Sequence, residues 1–130
     1  MKTFLLDSDI LVDFFKKKAA TLNLVRDLVK EGNVSASILS ISELRVGWNE
    51  TQAAFFLPRL YKLVAIESVT QDIAEHAGKL RREYKEKGIE IPIVDALIAA
   101  TAIEIHAELV TRNIKHYPMK ELILYPVVFN

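Results

Sequence analysis

Short apolar runs alternate along this chain with longer stretches of helical period. Residues 3–6 are apolar and give way at once to polar positions, the pattern of a strand buried on both faces. Ser8 suits an N-cap, and Ile10, Leu11, Phe14 and Phe15 after it share one helical face. Residues 22–30 repeat that period through Leu22, Val25, Leu28 and Val29, and Gly32 ends it. Residues 34–36 predict a second strand, residues 40–48 a helix ending near Gly47, and residues 52–63 a further helix that Pro58 kinks or interrupts. Residues 64–66 predict a third strand. Residues 73–87 predict a long amphipathic helix with Lys79, Arg82, Glu83 and Glu86 outward, closed by Gly88. Pro92 takes the first position of the next helix, which runs to about His106 and is apolar almost all round, as a helix buried on most sides must be. Residues 108–111 predict a fourth strand and residues 122–127 a fifth.

Strands alternating with helices imply an α/β fold with a mainly parallel sheet of four to five strands. In such sheets chemistry gathers outside the carboxyl ends of the strands. A chain of 130 residues without repeat, linker or low-complexity tract reads as one domain, residues 1–130. The apolar N-terminal run is too short and too soon charged for a signal peptide. The longest apolar stretch, residues 89–105, carries Glu90, Asp95 and Glu104, so a soluble, cytoplasmic protein is expected, with no membrane partner.

Composition narrows the chemistry. Lys plus Arg equals Asp plus Glu at 17 each, so any nucleic acid must be held by a local patch and not by net charge. Without cysteine there is no thiolate metal site and no Cys nucleophile. A hydrophobic fraction of 51% is rich for this length and points to a subunit interface, hence a homo-oligomer.

Acidic residues recur where the sheet edge is expected. Asp7 follows the first strand directly. Burying it there unpaired would be costly, and Ser8 already suits the cap role. Asp9 serves equally as a helix-start residue or as part of a site. Glu43 completes a capping box with Ser40, which alone would explain it, yet it returns to the same edge. Asp95 falls in the first turn of the apolar helix. The helix dipole favours it by only about 0.3–1 kcal/mol, against several kcal/mol for burying a lone carboxylate. No Lys or Arg lies within a turn, so a metal ion is the economical partner. Oxygen ligands suit Mg²⁺ or Mn²⁺, whereas His76, His106 and His116 lack zinc-ligand spacing. His106 is expected at the end of the buried helix, where a cation suits the dipole, and His76 in surface or helix packing. Thr111 and Asn113, after the fourth strand, are candidates to orient water or a carboxylate, Asn113 alternatively being a left-handed turn residue. Arg112, Lys115 and His116 form a cationic cluster suited to phosphate. Arg81, Arg82 and Lys85 either extend that track or are simply solvated.

Taken together these segments resemble the PIN domain, and within it the VapC-like toxins of toxin–antitoxin pairs. Residues 5–13, Leu-Leu-Asp-Ser-Asp-Ile-Leu-Val-Asp, resemble the family's opening. Residues 38–47 around Ser42-Glu43-Leu44 resemble its glutamate helix, and residues 95–102 its aspartate string. Leu109-Val110-Thr111-Arg112-Asn113 resembles its closing strand and turn. The resemblance implies a three-layer α/β/α sandwich, Mg²⁺- or Mn²⁺-dependent RNA hydrolysis, a homodimer and a cognate antitoxin. Asp7, Glu43 and Asp95 match the family's acids, with Asp7 and Asp95 holding the first metal. Ser8, Asp9, Thr111 and Arg112 surround them. The family's further acidic position falls on Asn113, so one bound metal is expected instead of two. Two other readings remain: a non-catalytic PIN scaffold that binds RNA or protein, and a receiver-type phosphoacceptor. The latter lacks its acceptor aspartate, since Ser37 and Glu67 follow the second and third strands.

Overall fold

Four parallel strands form the sheet of the computed structural model, which describes residues 1–127. They are β1 (Lys2–Leu6), β2 (Gly32–Ser37), β3 (Ala65–Glu67) and β4 (Glu108–Val110), in the order β3-β2-β1-β4. Phe4 of β1 lies level with Val34 of β2 and Glu108 of β4, so the carboxyl ends of β1 and β4 finish together at one edge. Six helices connect them: α1 (Ser8–Phe15), α2 (Ala19–Glu31), α3 (Ile38–Val46), α4 (Glu50–Leu63), α5 (Gln71–Glu86) and α6 (Ile93–Glu104).

The strand period sorts these into layers. Successive side chains of a strand point to opposite faces. Phe4 and Leu6 therefore pack with Ile10, Leu11, Leu28, Leu44 and Leu60 from α1 to α4. Leu5, between them, packs with Ile73, Leu80, Ile98 and Ala99 from α5 and α6. This is the expected α/β/α sandwich. The alanines of α6 are fully buried and allow the helix to lie close against its neighbours, and His76 Nδ1 of α5 meets Glu104 Oε1 of α6 at 2.9 Å. Among the described residues no helix is long and apolar enough to cross a membrane.

Several expected boundaries move, each for a local reason. Asp7, not Ser8, caps α1: its Oδ1 accepts the Ser8 N–H at 2.8 Å. The capping box expected at Ser40 and Glu43 is absent. Helix α3 begins two residues earlier, with Ser37 as cap accepting from Leu39 N at 3.1 Å, and the reciprocal box is formed instead by Asn49 and Gln52 at the start of α4. Pro92 is the cap of α6 and not its first helical residue. Helix α4 runs through Pro58, where Arg59 Nη1 donates to the Phe55 carbonyl at 2.6 Å. His106 lies past the end of α6 in the left-handed region, φ 56°, so it does not complete the last helical turn. Gly88 has φ 79° and ends α5 as expected. Residues 122–127 contribute a single parallel bridge, Leu124 to Leu109, and not a full strand; β4 itself ends at Val110, and the Thr111 hydroxyl is turned instead to Asp7.

Two glycines give a test of this packing. A Cβ on Gly32 would stand 2.2 Å from the Lys2 carbonyl oxygen, whereas one on Gly78, inside α5, would meet nothing within 4 Å. Gly32→Ala is expected to lower stability by about 2–4 kcal/mol and Gly78→Ala to raise it by about 0.5–1 kcal/mol. Urea unfolding of the two variants measures both.

Candidate active site

Asp7 stands at the carboxyl end of β1, one residue past the last strand position, and its N–H still donates to Val110 of β4 at 2.9 Å. The side chain is only 7% exposed and every part of it is engaged. Oδ1 accepts from Ser8 N. Oδ2 accepts the Thr111 hydroxyl at 3.0 Å and the Tyr117 hydroxyl at 2.9 Å. Tyr117, 4% exposed, lies just beyond a short 3-10 turn (Ile114–His116). Burial together with the charges of Asp7, Asp95 and Asp9 drives its phenol far above the usual tyrosine range, so it remains a donor. Nothing in the sequence pattern singled Tyr117 out. Only a fold that returns residues 114–117 to the end of β1 makes it a partner of Asp7.

Thr111 serves two roles with one hydroxyl: it donates to Asp7 and accepts the Asn113 N–H at 3.0 Å. Asp9 accepts the backbone N–H of Arg112 on Oδ2 at 2.8 Å and that of Ile10 on Oδ1 at 2.9 Å. Desolvation is the main reason its carboxyl lies above the usual range, aided by Asp7; the Arg112 N–H works the other way. Arg112 is also directed at Asp13, with Nη2 3.0 Å from Oδ2. The expected phosphate cluster of Arg112, Lys115 and His116 is thus not formed as such, because two of its three cations face carboxylates. Asn113 is exposed, with φ −89°, so it is not a left-handed turn residue.

Glu43 lies in the middle of α3, exposed, and is freed from any capping duty. Its Oε1 is 2.7 Å from the Ser8 hydroxyl, which also lies 3.0 Å from Ser40 Oγ. Ser8 has one proton, and the shorter contact to the carboxylate takes it. Asp95 occupies the first turn of α6 as expected, but its side chain is 20% exposed and it has a basic neighbour, His116 Nδ1 at 3.4 Å. The expectation of a buried carboxylate with no cation nearby is corrected on both points: the partner arrives from residues 114–116, over twenty positions away. Desolvation still raises the Asp95 carboxyl above its usual range. His116 opposes this, and the charges of Asp7 and Glu43 add to it.

The edge therefore gathers Asp7, Asp9, Glu43 and Asp95 closely enough for their charges to act on one another. The donors are all hard oxygens, the kind that suit a divalent cation such as Mg²⁺ or Mn²⁺. Among the described residues no three acidic or histidine side chains stand in finished ligand geometry, as mutual repulsion between uncompensated carboxylates would lead one to expect. Arg81 and Arg82 line an open groove of about 1100 Å³ at the end of α5; Arg81 Nε donates to the Ile91 carbonyl and Arg82 pairs with Glu86.

The PIN domain family model matches residues 4–122. The chain belongs to the PIN domain family. It is 39% identical over 116 residues to Ribonuclease VapC19 of Mycobacterium tuberculosis, covering 88% of this chain and 92% of that protein. It is 31% identical over 113 residues to Ribonuclease VapC1 of Methanocaldococcus jannaschii, covering 87% and 77%. Among solved structures, it superposes with a TM-score of 0.85 on a chain of the crystal structure of VapBC2 from Rickettsia felis bound to a promoter DNA fragment. That match has 29% identity and covers 95% of this chain and 97% of the other. The receiver-type reading falls with this assignment.

Two outcomes follow from the site's charge state. A carboxyl whose folded pKa is raised binds its proton more tightly in the folded than in the unfolded state, so its ionisation destabilises the fold as pH rises through that window. Asp95→Asn should therefore melt about 2–4 °C above the parent at pH 7 without divalent cation, the gap closing as pH falls toward 4, in scanning calorimetry. Tyr117→Phe keeps the ring but removes a donor from a buried carboxylate, and should cost about 1–3 kcal/mol in chemical unfolding.

Proposed function

We propose that this chain is a divalent-metal-dependent endoribonuclease, the toxin of a VapBC-type toxin–antitoxin pair, which hydrolyses RNA phosphodiester bonds. The observation that carries it is the gathering of Asp7, Glu43 and Asp95 at one sheet edge of a PIN domain, with like charges near enough to raise the Asp95 carboxyl. The likeness to proteins named as VapC ribonucleases supports it along most of the chain.

In this reading Asp7 and Asp95 would hold one Mg²⁺ or Mn²⁺, with Glu43 contributing to the same site. Such an ion, when bound, acidifies water and neutralises charge gathering on the phosphate during hydrolysis. The protein supplies the geometry. Three donors fix the Asp7 carboxylate, so that it meets the cation without first losing side-chain freedom. Ser8 holds Glu43 toward the same edge. Thr111 keeps the Asn113 backbone in place, and the exposed Asn113 side chain would then orient water or a substrate hydroxyl. His116 Nδ1 stands 3.4 Å from Asp95 Oδ2 and, were Asp95 to hold the cation, would be available to solvent or an RNA phosphate.

The same reading includes a homodimer, a cytoplasmic location and an antitoxin. An apolar cleft of about 470 Å³ between α1 and α4, lined by Phe14, Phe15, Leu22, Phe55 and Phe56, is suited to an apolar segment of such a partner. The alternative, a PIN scaffold that binds without cutting, draws its support from Asn113 at the family's further acidic position. A cleavage assay separates the two. The parent protein should cut mixed single-stranded RNA with Mn²⁺ and stop when the metal is chelated. Asp95→Asn should lose activity by on the order of 10²–10³-fold while keeping its circular dichroism spectrum. Undiminished cleavage by that variant removes the acidic centre from the mechanism.

A further inference from the structure

Asp13 is the most deeply buried acid of α1 at 3% exposure, and the helix itself gives no reason for it. It lies in the last turn, where the macrodipole disfavours a carboxylate. What satisfies it is a pair of cations, one five residues further on and one from the turn after β4. Lys18 Nζ lies 3.2 Å from Oδ1 and Arg112 Nη2 lies 3.0 Å from Oδ2. The chain bends to allow the first: Lys17 adopts a left-handed conformation, φ 60°, and the Lys18 N–H closes back on the Asp13 carbonyl at 3.1 Å. A non-glycine residue holds that conformation only when its surroundings enforce it.

The second contact reaches into the site. Arg112 spans Asp13 and Asp9, which sit one turn apart on α1. Its guanidinium is on Asp13, its backbone N–H donates to Asp9 Oδ2, and its Nε is 3.8 Å from the same oxygen. The residue before it, Thr111, donates to Asp7, and the residue after it, Asn113, donates its N–H to Thr111. Fixing Arg112 therefore fixes the orientation of the Thr111 hydroxyl and of the Asp7 oxygen that receives it.

We propose that Asp13 is a positioning residue for the acidic centre: by anchoring Arg112 it clips the turn at residues 111–113 onto α1 and so sets the Asp7 carboxylate for its cation. Arg112 is then a strut of the site and not a phosphate ligand. The role in cation binding rests on the metal-dependent reading above; the clip itself does not.

The test uses the full chain. In Asp13→Asn, amide hydrogen exchange at Arg112 and Asn113 should accelerate at least about tenfold relative to Leu109 of the neighbouring strand, and Mn²⁺ affinity measured by titration calorimetry should fall about tenfold. Arg112→Gln should weaken Mn²⁺ binding similarly, and the double variant no further, because both act through one link. A merely structural Asp13 would give additive losses and no selective change at residues 112 and 113. Unchanged exchange at those amides in a folded Asp13→Asn, or unchanged Mn²⁺ affinity despite faster exchange, overturns the proposal. Should Asp13→Asn not fold, Arg112→Gln, at a half-exposed position, decides it by exchange at Asn113. A parent protein that binds no Mn²⁺ overturns the metal-dependent reading instead, and the exchange result still decides the clip.

Discussion

An unpartnered carboxylate in a protein interior costs several kcal/mol, and Asp7 is nearly buried at the end of an apolar strand. Its two oxygens are satisfied by donors from three separate places: the first turn of α1, the residue just after β4, and a tyrosine beyond the following 3-10 turn. Each donor requires a particular piece of the fold. Ser8 N–H is available because helix α1 starts there. Thr111 arrives because β4 runs parallel to β1 in matched register. Tyr117 arrives because the chain turns back after β4, and Tyr84 of α5 holds that return by donating to the Pro118 carbonyl at 2.9 Å. The end of β1 is thus where local capping, sheet register and the C-terminal turn must all agree.

The layers were legible because their cause is periodic. Phe4, Leu5 and Leu6 are all apolar, which can be explained only by burial on both faces, and the helical stripes of α1, α2 and α5 announce which side they turn inward. Helix starts were harder, because several polar residues near one another can each cap. Ser37, Ser40 and Ser42 are chemically alike as caps, and only the length of β2 decides for Ser37. Asp7 and Ser8 compete similarly, and the aspartate wins because its φ of −72° and ψ of 162° lie outside the helix while Ser8 is already within it.

The acids themselves were legible from sequence, but their partners were not. Asp7, Glu43 and Asp95 lie tens of residues apart, and parallel topology alone is enough to bring their elements to one edge. Glu43 takes its partner from Ser8 of α1, but much of what Asp7 and Asp95 touch depends on the turn at residues 111–117, whose irregular backbone carries no period to read. His116 on Asp95, Tyr117 on Asp7 and Arg112 on Asp13 all come from it. Arg112 and His116 look like free cations in a linear reading because their acidic partners are so distant.

The outcome is an uneven distribution of charge compensation across the edge. Asp13 has two cations, Asp9 has two backbone donors and the Arg112 side chain, and Asp7 has three neutral donors but no cation among the hydrogen-bonding partners. Asp95 has, among the described residues, an imidazole beside it at 3.4 Å, while Asp7 and Glu43 both oppose its ionisation. Negative charge is therefore well neutralised on the α1 side and left over where Asp7, Glu43 and Asp95 approach one another. A fold selected for stability alone would have placed an Arg or Lys there. Under the proposed metal-dependent reading, a divalent cation would offset the charge that Asp7, Glu43 and Asp95 leave uncompensated there.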